Sequence, residues 1–237
     1  MATAQAKRLH AETGKKVVVV GFNSRVEWHP VFENNPKIAR AVTKDVVRVK
    51  NCSGMRPYIE RKTPERWYWK RWRIEPGEIY LSAAEKAFAA PHAGRILIEP
   101  NTKVEGSNKA WVIDRWQELV DRGGDFVQIG PPGTRVLRGV HYVPTPSFRH
   151  GAAVLAVSRA FVGTEGGLHH AAAALGVPAV VLFSEFISPD ITGYATHRNI
   201  RHAGATCGAR IPCSSCRASM EAITVDEVEK HLKEITA

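Results

Sequence analysis

AFVGTEGGLHHAAAALGVPAVVLF, residues 160–183, is the stretch from which the architecture of this chain can be read. Residues 160–163 are a short apolar run of the kind that forms a buried parallel strand. Thr164-Glu165-Gly166-Gly167 breaks the run, and residues 168–175 then read as a helix of small side chains. Gly176 stands where a helix takes a left-handed C-terminal residue, and Pro178 closes the stop. Residues 179–183 return as a second buried strand. Such a unit sets backbone N–H groups and the positive end of a helix at the carboxyl edge of a parallel sheet. Open α/β sheets bind anionic ligands at that edge.

The same alternation extends on both sides. Residues 95–98 read as a strand, 99–109 as a polar loop, and Val112, Ile113, Trp116, Leu119 and Val120 as one face of a helix ended by Gly123-Gly124. Strands follow at 126–129 and 140–143, with a helix over 150–158. The tail carries a capping box, Thr224 to Glu227, ahead of the apolar stripe Val225, Val228, Leu232, Ile235. Toward the N-terminus, the signals give a helix over 2–12, strands at 17–20 and 46–49, and a helix over 81–90 with Ser82 and Glu85 as its capping box. Pro91-His92-Ala93-Gly94 then reads as a linker. Repeated strand–loop–helix units of this kind predict an α/β protein with mostly parallel sheets. Two halves are expected, 1–92 and 93–237. An α/β domain ordinarily starts on a strand, whereas this chain opens on a helix, so the first half is expected to be incomplete.

Composition narrows the partners. The chain has 237 residues, 44% hydrophobic and 24% charged, with no apolar run near the ~18 residues of a membrane span. Its first residues lack the apolar core of a secretory signal, which points to a soluble cytoplasmic protein. A net charge of +10 calls for an anionic partner: nucleic acid, a phosphorylated glycolipid or a nucleotide. Four cysteines without a signal peptide suggest thiols or metal ligation rather than a disulfide framework.

Several residue groups are candidates for chemistry. The N–H groups of Gly166 and Gly167 suit a diphosphate, Glu165 suits sugar hydroxyls, and His170 lies one turn into the helix. Of the neighbouring pair, His170 is taken as functional and His169 as packing. Lys109 is a poor match for the positive end of the helix it precedes, which favours a phosphate-binding role. Residues 66–73, RWYWKRWR, either present rings and cations to an anionic acceptor, with Arg66, Trp69 and Arg71 as contacts, or turn their tryptophans inward and leave the cations solvated. His202, Cys207, Cys213 and Cys216 are spaced either for a tetrahedral metal or as reduced structural thiols.

The segment 160–183 resembles the donor-binding element of glycosyltransferase family nine, the lipopolysaccharide heptosyltransferase family. In that element an acidic residue, Thr or Ser, Gly and His precede an alanine-rich helix ending in Gly-x-Pro. Glu165, Gly166, Gly167 and His170 stand at those positions. LIEPNTKVEGSNKAWVIDRWQELV is similar to the family's strand, loop and Lys-x-Trp helix, with Lys109 and Trp111 at the matching places, and CSSCRASMEAITVDEV to its C-terminal ending. The resemblance is good over 94–237 and thin over 15–92.

It implies a GT-B architecture, two Rossmann-like domains facing across a cleft, with Lys109, Glu165, Gly166, Gly167 and His170 as donor-binding residues. It further implies inverting transfer from a nucleotide-diphosphate-sugar to an acceptor hydroxyl, with no cofactor and no obligatory metal. The acceptor would be an anionic glycolipid; a nucleic acid acceptor or a non-catalytic binding module are the alternatives. The family's first strand and its Gly-Asp loop would lie before Met1, so the catalytic base is unassigned. Ser184 stands where the family has glycine.

Overall fold

The computed structural model describes residues 1–51, 54–102, 107–202 and 204–237. Its elements are α1 (Ala2–Thr13), β1 (Lys16–Val20), β2 (Val46–Lys50), β3 (Ile59–Lys62), β4 (Trp67–Trp69), α2 (Ala83–Ala89), β5 (Ile96–Glu99), α3 (Ile113–Asp121), β6 (Phe126–Gly130) and β7 (His141–Pro144). They continue with α4 (Phe148–Ala156), β8 (Ala160–Thr164), α5 (Gly167–Leu175), β9 (Ala179–Phe183), α6 (Pro189–Thr192), β10 (Arg198–Arg201), α7 (Ser214–Ala222) and α8 (Val225–Thr236).

Strands β5 to β10 form one parallel sheet in the order β10-β9-β8-β5-β6-β7. The chain starts in the middle at β5, runs outward to β7, crosses back to β8 and runs outward to β10. This is the doubly wound order of dinucleotide-binding folds, and its switch point lies between β5 and β8. Because helices cover both faces, the central strands are apolar throughout and successive residues serve opposite cores. Leu97, Phe161 and Val181 join one cluster with Ala153 to Leu155 of α4 and Ala171 and Ala172 of α5. Ile96, Ile98, Val162, Val180 and Leu182 join the other with Trp116 and Leu119 of α3, Met220 of α7, and Val228 and Leu232 of α8.

The first half is smaller. α1 covers β1, which pairs in parallel with β2 from Lys16↔Val46 to Val20↔Lys50. Ala6, Val17, Val19, Phe32, Ile38 and Val49 form its core. β3 and β4 make an antiparallel hairpin. The hairpin and α2 do not keep to this small core: Tyr58, Ile59 and Ala89 are buried in the cluster of the six-stranded sheet. These parts of the first half therefore pack directly on the core of the six-stranded sheet.

Local signals act as read in most places. Ser82 and Glu85 make both bonds of the capping box, so α2 starts at Ala83. Gly176 ends α5 at φ 72°. The box at the last helix is only half made: Thr224 Oγ1 accepts from the Glu227 N–H at 3.2 Å, while the Glu227 carboxylate accepts from His202 at 2.7 Å. Among the described residues no helix is long and apolar enough to cross a membrane.

Candidate functional site

The site grows from the end of β8. The Glu165 N–H donates to Leu182 O at 3.1 Å, carrying the β8–β9 ladder one residue past the strand, and α5 then begins at Gly167. Gly166 is extended at φ 175°, so neither strain nor turn geometry requires glycine there. A Cβ at Gly166 or Gly167 would meet nothing closer than 3.8 and 3.5 Å. What glycine supplies is bare backbone at the helix start. No side chain caps α5, leaving its first N–H groups and the positive end of its dipole available.

Three charged or titratable side chains meet at this helix start. Lys109, brought by the loop after β5, bonds Glu165 Oε2 and lies 4.7 Å from the centroid of the Phe186 ring. His170 Nε2 lies 3.5 Å from Glu165 Oε1, and its Nδ1 is 3.0 Å from the Tyr194 hydroxyl. The bond pattern assigns the tautomer: Nε2–H faces the carboxylate and Nδ1 accepts from Tyr194. Burial opposes the charge on Glu165, yet Lys109 and the two histidines outweigh it and hold the carboxyl well below its usual range. Burial lowers His170 more than Glu165 raises it, so the ring is neutral at pH 7. Burial pushes the Tyr194 hydroxyl upward, keeping it a donor. Across the switch point, at the end of β5, burial raises the Glu99 carboxyl to about 7 while it accepts from the Asn101 N–H at 2.9 Å.

The first half closes over this edge. A cavity of about 360 Å³ lies between them, lined by Glu27, His29, Arg56 and Tyr58 on one side and Gly167 and His170 on the other. The five residues expected to bind a donor, Lys109, Glu165, Gly166, Gly167 and His170, thus sit at one sheet edge, three of them in direct contact. His169 is fully buried among the rings of His170, Phe183, Tyr194 and His197, a packing position. Tyr194 and Phe186 were not legible as site residues, since nothing in their spacing ties them to a sheet edge. Ser184, at the family's glycine position, is buried, and its Oγ accepts from the Phe186 N–H at 3.2 Å, shaping the turn that presents that ring.

The aromatic run takes the second of its two readings, and Trp69, expected as an acceptor contact, is instead a packing residue. Trp67, Trp69 and Trp72 pack against the core, and the Trp69 indole donates to Phe186 O at 2.9 Å with its ring edge-on to Phe186. Arg66 and Arg71 are exposed. The tryptophans are inward and the cations are solvated. Gly208 makes the junction: its φ is +61°, its carbonyl accepts from the Trp67 N–H at 2.9 Å, and a Cβ there would strike the Trp67 backbone. Of the four possible metal ligands, His202 is apart, bonded to Glu227, while the sulfurs of Cys207, Cys213 and Cys216 all lie within 4.8 Å of one another.

No protein-family profile and no curated protein matches this chain. Solved structures do. The ADP-heptose lipopolysaccharide heptosyltransferase II of E. coli matches with a TM-score of 0.52 and 20% identity, over 73% of this chain and 55% of that one. A family 9 glycosyl transferase of Veillonella parvula matches with a TM-score of 0.52 and 15% identity, over 69% and 55%. The chain spans little more than half the length of either. In fold, it is a heptosyltransferase-like α/β protein of the GT-B kind, carrying the doubly wound sheet.

Proposed function

We propose that the chain binds a nucleotide-diphosphate-sugar at the start of α5 and serves glycosyl transfer to an acceptor hydroxyl. The observation that carries this is the uncapped α5 N-terminus at the sheet's switch point, flanked by Lys109, Glu165 and His170 and opening into the cavity. A diphosphate accepts from the free N–H groups of Gly166 and Gly167, with the helix dipole favouring its charge. Lys109 reaches the same anion from the other side, and Glu165 orients Lys109 and accepts from sugar hydroxyls.

In an inverting transfer the acceptor oxygen attacks the anomeric carbon as the carbon–phosphate-oxygen bond breaks. The bonding pair leaves with the nucleoside diphosphate, and the acceptor proton passes to a base. The charge growing on the leaving diphosphate falls on the α5 N–H groups and Lys109, where fixed donors lower the barrier most. The exposed cations around the β3–β4 hairpin, Arg66, Lys70 and Arg71, suit an anionic glycolipid acceptor. The same cations and the +10 charge favour a second reading, a nucleic acid acceptor. Oligonucleotide binding that falls steeply with added salt distinguishes it.

A thermal-shift screen of nucleoside diphosphates and their sugars tests the proposal; no shift with any of them overturns it. Lys109→Ala is expected to weaken nucleoside-diphosphate binding roughly tenfold or more, since hydrogen bonds to charged groups are worth about 1.5–3 kcal/mol. Glu165→Ala is expected to weaken the sugar-bearing ligand more than the bare diphosphate.

A further inference from the structure

We propose that Cys207, Cys213 and Cys216 hold a soft divalent metal ion, zinc, which fixes the loop that positions Lys109. Cys207 follows β10, Cys213 caps α7 and Cys216 lies within its first turn. The Cys207 sulfur is 3.1 Å from that of Cys216 and 3.9 Å from that of Cys213. A disulfide needs about 2.05 Å. Thiolates around a tetrahedral zinc, with bonds of about 2.3 Å, stand about 3.8 Å apart.

The Ala209 N–H donates to Cys207 Sγ at 3.4 Å, so the backbone already turns toward that sulfur. Cys207 and Cys213 are half-exposed rather than buried as inert thiols are, so an ion can enter and a water or solute can take the fourth position. His202 is committed to Glu227 and is not a ligand.

The consequence is positional. Asn108, next to Lys109, donates to Ala209 O and Ile211 O at 2.9 and 2.8 Å and accepts from the Cys213 N–H at 2.9 Å. The N–H groups of Cys207 and Gly208 donate to Glu185 O and Phe186 O at 2.7 and 3.1 Å. The thiol loop therefore grips the residue before Lys109 and the ring beneath its ammonium. An ion joining Cys207 to α7 removes the freedom of that loop, and binding it releases the thiol protons.

Metal analysis of protein dialysed against zinc under reducing conditions is expected to give one ion per chain. Cobalt in its place gives a thiolate charge-transfer band and the intense visible spectrum of a tetrahedral site. Cys213→Ser and Cys216→Ser lose the ion, and His202→Ala keeps it. Should a cysteine variant fail to fold, chelation of the wild-type chain gives the same loss with a lower Tm, restored by zinc. Binding below about a tenth of an equivalent overturns the site, because a three-thiolate zinc site saturates under these conditions. So does a Cys207–Cys216 disulfide that persists in protein purified under reducing conditions, or loss of the ion in His202→Ala. The coupling to Lys109 rests on the proposed function: chelation is expected to weaken ADP binding about tenfold, and equal affinity with and without the ion overturns the coupling. ADP that binds neither form counts against the donor-site proposal, whereas the metal count decides this one by itself.

Discussion

The stability of this protein is expected to fall steeply between pH 6.5 and pH 4.5, before most carboxylates titrate. His169 is fully buried and His197 is 5% exposed. Burial holds the first well below the ordinary histidine range and lowers the second to about 4. The unfolded chain takes up protons on both near pH 6.5, and the folded chain cannot. Each therefore contributes stability that is present above about 6.5 and is lost at about 1.4 kcal/mol per pH unit as the pH falls toward its folded pKa. His170, also lowered by burial, acts in the same sense.

Glu99 acts in the opposite sense. Its carboxyl is raised to about 7 by burial, so between about pH 7 and 4.3 the folded chain holds a proton that the unfolded chain does not. It offsets one histidine. The balance is an uptake of at least one proton on unfolding, or roughly 3 kcal/mol over two pH units. Urea unfolding at several pH values measures it. Glu99→Gln is expected to steepen the profile by about one proton and His197→Phe to flatten it by about as much. A wild-type profile that is flat from pH 7 to 5, unchanged in Glu99→Gln, would contradict this assignment.

Arg149→Met is expected to cost about 3–5 kcal/mol, the usual result of removing one partner of a buried ion pair. The Arg149 guanidinium joins α4 to both parts of the first half. It forks onto Glu85 at 2.5 and 2.6 Å, and donates to Tyr80 O at 2.6 Å and Pro30 O at 3.1 Å. Arg149 and Glu85 are 7% and 13% exposed, so the pair is little screened. Arg149 holds the Glu85 carboxyl down to about 2. That contribution is present above the unfolded carboxylate range, near 4.3, and is lost as the pH falls toward 2. Glu85→Gln should cost less, since the amide still accepts from the guanidinium. A double-mutant cycle gives the coupling, and an Arg149→Met cost below about 1 kcal/mol would remove the clamp from the account.

These effects also mark how far the sequence reaches. The unit over 160–183 was legible because each of its signals is local. Apolar runs name strands, Gly176 and Pro178 stop a helix, and two glycines before alanines leave a helix start bare. The Ser82–Glu85 box and the apolar stripes of α3 and α8 were legible for the same reason. The side chains that meet at this sheet edge, Lys109, Glu165 and His170, also stood out in the sequence as polar groups in the loop after one strand and at the helix start after another.

Local signals in the chain specify the set of elements and the chemistry each carries to its end. How those elements meet follows from long-range packing. Strand order depends on which crossovers pack, and it put β5 beside β8, setting Lys109 against Glu165. The contacts of Phe186, Tyr194 and Trp69 join residues far apart in the chain, where no periodicity links them. The same holds for the convergence of Cys207 on the α7 cysteines and the exclusion of His202. A local signal fixes what a segment becomes, because its energetics lie within a few residues. Which side chains share a site depends on how the whole chain buries its apolar faces.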